Sequence, residues 1–74
     1  MKEGILYFDR ASERYDILFD NGSYYGNLHC GNVFDVLQSN EWKKTRIEFS
    51  DAWYLVGWNK NGKHLPLDGL RVRI

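Results

Sequence analysis

His29 and Cys30 stand side by side in this 74-residue chain, and a thiol beside an imidazole is the pairing that makes a cysteine nucleophile. The chemistry needs the ring to reach the sulfur. Neighbouring residues on an extended chain point to opposite sides, so adjacency in sequence works against direct contact. No third residue placed to orient the base is evident. Together with His64 the same pair is the one set that could ligate a metal, but zinc takes about four ligands, usually paired at short spacings, and no such spacing occurs here. The expectation is a Cys30 buried as a small apolar residue, a His29 that ties down its loop, and no catalytic residue, metal or cofactor.

Two other residue sets point to binding rather than catalysis. The run Trp53-Tyr54-Leu55-Val56-Gly57-Trp58 is apolar on both faces of an extended chain. One face must pack a core; the other is either covered by the chain's own loops as a second small core or exposed as an interaction surface. Tyr24 and Tyr25 precede a loop bracketed by Gly26 and Gly31, and adjacent tyrosines on a strand face opposite ways, so one of them can line a groove beside His29. Tyr24, Tyr25, His29, Trp53, Tyr54 and Trp58 are therefore the expected protein-binding residues.

The second set is basic. Lys44 with Arg46, and Arg71 with Arg73, are spaced i, i+2, so each pair shares one face of a strand. If the two strands were neighbours, four cations and Trp42 would share a patch suited to single-stranded nucleic acid, with cations tracking phosphates and a ring stacking on bases. Glu48 interrupts the same alternation, and the isoelectric point near 6.7 is low for such a domain. A solvated face with cross-strand ion pairs is the simpler expectation.

The elements that must position these residues are short strands. Residues Ile5 to Asp9, Arg14 to Phe19, Val33 to Leu37, Trp42 to Phe49, Ala52 to Trp58 and Leu70 to Ile74 read as strands, with a further short one possible at Ser23 to Tyr25. In the fourth, Thr45, Ile47 and Phe49 alternate against Trp42, Lys44, Arg46 and Glu48, which predicts Phe49 on the core side. Asp20-Asn21-Gly22, Gln38 to Glu41 and Asn61-Gly62 are turns, and Gly26 to Gly31 is an irregular loop. No stretch carries a convincing helical pattern. The prediction is an all-β domain spanning 1–74: a small SH3-like barrel or strongly bent antiparallel sheet of five to seven short strands, with an OB-like barrel as runner-up.

Composition narrows the functional classes. A chain this short buries only about 60% of the surface its unfolded form exposes, which leaves little room for both a core and a deep substrate cavity. Hydrophobic residues make up 43% and aromatic residues 16%, which is globular. The formal charge of zero hides an asymmetry: Lys2, Arg10 and Arg14 face six carboxylates in residues 1–40, whereas seven cations face four carboxylates in 41–74. With one cysteine there is no internal disulfide. No apolar run approaches the 18 or so residues of a membrane span, and Met1-Lys2-Glu3-Gly4 opens no signal peptide; the expectation is a cytoplasmic protein.

Four segments taken together carry a family likeness: Leu28-His29-Cys30-Gly31, Trp42-Lys43-Lys44-Thr45-Arg46-Ile47-Glu48, Trp53-Tyr54-Leu55-Val56-Gly57 and Leu67-Asp68-Gly69-Leu70-Arg71-Val72-Arg73-Ile74. The set resembles a short domain-of-unknown-function family of Gram-positive bacteria and their phages and mobile elements. The resemblance covers nearly the whole chain, with Asn59 to His64 as a variable insertion. It implies a bacterial or phage module and contributes no catalytic residue. The function expected is a non-enzymatic protein–protein interaction domain, in one form a phage or mobile-element accessory protein acting on a host or defence protein. Nucleic-acid binding through Trp42, Lys44, Arg46, Arg71 and Arg73 is the alternative, and an exposed aromatic face would equally serve a homodimer.

Overall fold

A computed structural model describes residues 1–74 and contains no helix. Strands β1 (Glu3–Asp9) and β2 (Arg14–Phe19) form a hairpin, paired from Gly4↔Phe19 to Asp9↔Arg14. Asp9 organises its four-residue loop by accepting from the Ala11 N–H and the Ser12 hydroxyl. β3 (Val33–Gln38) and β4 (Glu41–Phe49) form a second hairpin, closed by Ser39 and Asn40. Both of these residues have positive φ, 50° and 65°, as a two-residue turn matched to the twist of its strands requires. β5 (Trp53–Leu55) returns along the end of β4. β6 (Asn59–Lys60) and β7 (Lys63–His64) form a separate small hairpin around Asn61-Gly62, so the expected turn there is a two-stranded element of its own. β8 (Arg71–Arg73) is the last strand.

The six-stranded sheet runs β2-β1-β8-β3-β4-β5, every pair antiparallel. Of the two forms expected, the open bent sheet is the one observed: β2 and β5 are its two ends and share no backbone ladder. The outer edge of β2 is nonetheless covered. Residues 23–28 run along it, with Tyr25 N–H donating to the Ile17 carbonyl and Leu28 N–H to the Tyr15 carbonyl. The strand considered at Ser23 to Tyr25 is a single bridge, Leu18↔Tyr24. Asp16 locks this segment down: its carboxylate is buried and accepts from the Gly26 N–H at 3.0 Å and the Ile17 N–H at 2.7 Å.

The concave face holds the core. Leu6, Ile17, Phe19, Phe34, Val36, Ile47, Leu55 and Val72 come from strands, while Leu28 and Leu67 come from irregular segments. Alternation in β4 buries Thr45 and Ile47 as expected, but Phe49 is 53% exposed. β4 outruns the core at that end, so the same face of the strand emerges into solvent. The run Ala52 to Trp58 is strand only over Trp53–Leu55. No helix is long and apolar enough to cross a membrane.

Gly4 is the tightest point of the sheet. A Cβ there would sit 2.3 Å from the Leu18 carbonyl oxygen and 2.8 Å from the Phe19 Cα, both backbone. Backbone cannot swing aside as a side chain can. Gly4→Ala is expected to cost about 2 kcal/mol or more, read as a lowered urea midpoint. An unchanged midpoint would mean that β1 and β2 can separate there freely.

Candidate functional site

The two ends of the open sheet meet through side chains. The Trp53 indole N–H donates to the Glu13 carbonyl at 3.0 Å, which ties β5 to the β1–β2 loop. Above the same indole lies the Arg14 guanidinium, 5.5 Å from the ring centre, with its Nη1 donating to the Leu28 carbonyl at 3.4 Å. Phe49 meets the indole edge-on at 5.0 Å, and Phe8 meets Tyr15 edge-on at 5.2 Å. Between these groups is a groove of about 520 Å³ lined by Phe8, Glu13, Arg14, Cys30, Phe49 and Trp53. A second hollow of about 390 Å³ shares Phe8 and Trp53 and adds Tyr15, Ala52 and Asp68. Asp68 accepts from the Phe8 N–H at 2.9 Å, so its position is fixed by backbone.

This arrangement suits an apolar side chain from a partner. The rings offer faces and edges; the groove carries Glu13 and Arg14, of opposite charge, and the second hollow carries Asp68. Cys30 lines the groove and is exposed, which corrects the expectation that it is buried. The reason is local. His29 N–H donates to the Asn32 side chain at 2.7 Å, and Asn32 N–H returns to the His29 carbonyl. This tight turn carries both His29 and Cys30 outward, and His29 is exposed as well.

The expected aromatic residues fall on separate surfaces. Trp53 belongs to the groove. Tyr54, on the opposite face of β5, stacks on His64 of the small hairpin, 4.3 Å between centres and 17° between planes. His64 is thereby held against β5, and no group of three or more His, Cys, Asp or Glu residues is placed to hold a metal. Trp58 packs against the core and donates its indole N–H to the Pro66 carbonyl at 3.4 Å. Tyr24 tilts against Tyr7 at 5.6 Å, and both Tyr24 and Tyr25 are exposed. Sequence reasoning missed Phe8, Arg14 and Phe49. The signal available was the position of Phe49 at the end of a long strand, where alternation no longer guarantees burial.

The basic residues do not form one patch. β3 lies between β4 and β8, so Lys44 and Arg46 are not beside Arg71 and Arg73. The arginines are also engaged. Arg46 Nε binds Glu48 at 2.6 Å, Arg73 Nε binds Asp35 at 2.9 Å, and Arg71 binds Asp20 and Glu3. Arg73 further lies 4.4 Å from the Trp42 ring centre. Across four strands the directly opposed residues Glu3, Arg73, Asp35 and Lys44 alternate in sign. Exposed pairs of this kind contribute about 1 kcal/mol or less each.

Residues 4–74 match a protein family described as a domain of unknown function, DUF5348. A comparison with curated proteins finds no match. Among solved structures, the crystal structure of a structural-genomics protein from Ruminococcus gnavus is similar to this chain, with 52% sequence identity and a TM-score of 0.86. The likeness covers 99% of this chain and 100% of that one.

Two tyrosines, Tyr15 in the second hollow and Tyr7 beside Tyr24, give the protein a measurable pH signature. Burial, and then the Asp68 charge, raises Tyr15 above the ordinary tyrosine value of 10.0; burial, and then the Asp16 charge, raises Tyr7. The folded state therefore keeps these phenolic protons where the unfolded chain has lost them. Their contribution to stability is complete below pH 10 and is lost as pH rises through the raised values. Urea midpoints should hold up to about pH 9 and fall above about pH 10, and the fall should be shallower in Tyr15→Phe and Tyr7→Phe. A fall of equal steepness in both variants would contradict this assignment.

Proposed function

We propose that this chain, which belongs to the DUF5348 family of domains of unknown function, is a small non-enzymatic protein-binding module. Its groove between the β1–β2 loop and the β4–β5 turn takes an apolar side chain of another protein. The observation that carries this reading is Phe49, half out in solvent against the edge of Trp53 at one side of the groove. A large ring left in water contributes little to folding, and exposed aromatics framed by polar groups are the usual anchors of an interface. Glu13 and Arg14 offset each other in the groove itself, and Asp68 in the adjoining hollow favours a partner segment with a positive charge beside its apolar anchor.

The resemblance to modules of phages and mobile elements makes a bacterial host or defence protein the class of partner to try first. The proposed setting is the cytoplasm, where an exposed thiol such as Cys30 stays reduced. Nucleic-acid binding has weaker support, because Arg46, Arg71 and Arg73 already hold carboxylates.

The test is selection of a displayed peptide library on the immobilised protein. Enriched peptides should share an aromatic or aliphatic residue next to a basic one. Their affinity should fall at least about tenfold in Phe49→Ser, a step equivalent to 1.4 kcal/mol, and hold in Tyr54→Ala on the opposite face. No enrichment, or affinity lost in Tyr54→Ala and kept in Phe49→Ser, would overturn the groove as the working surface. Salt-sensitive retention of a mixed-sequence oligonucleotide in place of peptides would overturn it in favour of nucleic acid.

A further inference from the structure

β5 is shorter than the strand it pairs with, and this leaves part of a sheet edge open. It lies against Ile47–Phe49 of β4 and follows one step further, where the Val56 N–H donates to the Arg46 carbonyl at 3.0 Å. Gly57, at φ 81°, then turns the chain away towards Trp58. The stretch of β4 from Glu41 to Thr45 continues with β3 on one side and no strand on the other.

The ladder decides which backbone groups this exposes. The Ile47 N–H donates to the Asn32 carbonyl on the β3 side, while Arg46 accepts from Val56 on the β5 side. In an antiparallel strand the two sides alternate residue by residue. Glu41, Lys43 and Thr45 therefore spend their backbone groups on β3, and Trp42 and Lys44 direct theirs to the empty side. A hollow of about 200 Å³ lies beside this vacancy, lined by Lys43, Lys44, Thr45, Val56, Gly57 and Trp58.

Charge indicates what fits there. Lys43 and Lys44 flank the vacancy on opposite faces of the strand, and both are exposed. The ion pairs of the protein engage Arg46, Arg71 and Arg73, and none engages these lysines. Asp35, directly opposite Lys44, is held by Arg73. Lys60 and Lys63, on the hairpin that follows Trp58, are exposed and equally free of ion pairs. Of the carboxylates on β4, Glu41 stands at its start and Glu48 is bound to Arg46. A second copy of this edge would bring lysine against lysine, the usual device by which edge strands repel their own kind. An acidic strand meets no such barrier.

We propose that the edge of β4 at Trp42–Lys44 takes an extended acidic segment of another protein by strand addition. Trp42 and Lys44 supply the backbone hydrogen bonds, and Lys43 and Lys44 supply the preference for carboxylates. This site is separate from the groove at Phe49 and stands or falls independently of it.

The probe is a terminally blocked hexapeptide alternating Glu and Val, titrated into the isotopically labelled protein. It is compared with a Lys–Val counterpart and with a Glu–Val peptide N-methylated at every residue, so that neither edge can donate to β4. The expected result is saturable shifts centred on the Trp42 and Lys44 amides, with slowed hydrogen exchange at both. Binding should weaken at least about tenfold on N-methylation, a step equivalent to 1.4 kcal/mol, and Lys43→Glu with Lys44→Glu should reverse the preference towards the Lys–Val peptide. The N-methylated peptide tests the edge without altering the protein. Absence of binding at millimolar peptide, equal binding of the N-methylated peptide, or shifts centred on Phe8, Phe49 and Trp53 would each overturn the proposal. Concentration-dependent shifts at Trp42 and Lys44 without peptide would overturn it in favour of a second copy.

Discussion

A strand of three residues joins the two halves of this protein. β1–β2 and β3–β4–β5 are each local units, built from neighbours in sequence and closed by short turns. Their backbones are bridged by β8 and its flanks, with Gly4↔Val72 on one side and Val36↔Val72 on the other. Val72 is fully buried at the middle of that bridge. Closing it brings residues 3–5 to residues 71–73, the longest loop the chain has to form, and loop closure must be met before the contacts it allows are gained. The Lys2–Ile74 pair, bonded in both directions, extends the same ladder to the chain ends.

Because β8 takes the central place, the outer strands of the two halves become the ends of the sheet. A closed barrel would pair them by backbone. Here the meeting is made by one indole hydrogen bond, from Trp53 to Glu13, and by the cation over the same ring. Side chains are a less continuous seal than a ladder, and the groove lies where the ladder is missing. The candidate site is thus a consequence of incomplete closure, with its aromatic lining supplied by strands that run past the core.

The same topology sorts the charges. Placing β8 next to β3 puts Arg73 opposite Asp35, and placing it next to β1 puts Arg73 opposite Glu3. The arginines are neutralised on the convex face, where Arg73 also covers Trp42. The lysines of β4 and of the small hairpin remain unpaired. A chain with no formal net charge therefore carries a local positive edge at β4, while the groove and hollow at the opposite end of the strand hold Glu13 and Asp68 with a single cation, Arg14.

Much of the local structure was legible in the residues themselves. Alternation located β1, β2, β3 and β4 and put Thr45 and Ile47 of β4 on the face that is buried, because a period of two reports directly on burial within one strand. Turn residues placed the breaks at Asn21-Gly22, Ser39-Asn40 and Asn61-Gly62, because backbone conformation there depends on the residues in the turn. Pattern within a strand carries no record of which strand lies beside it. Only the tertiary structure put β3 between the two basic strands, so the condition for a shared patch of Lys44, Arg46, Arg71 and Arg73 is not met and the ion-paired face is the one found. Only it showed that β4 outlasts the core at Phe49, that β5 leaves the ladder at Gly57, and that a turn at His29–Asn32 carries Cys30 into solvent. Each of these depends on where a neighbouring segment ends, and that is settled by packing between residues far apart in the chain.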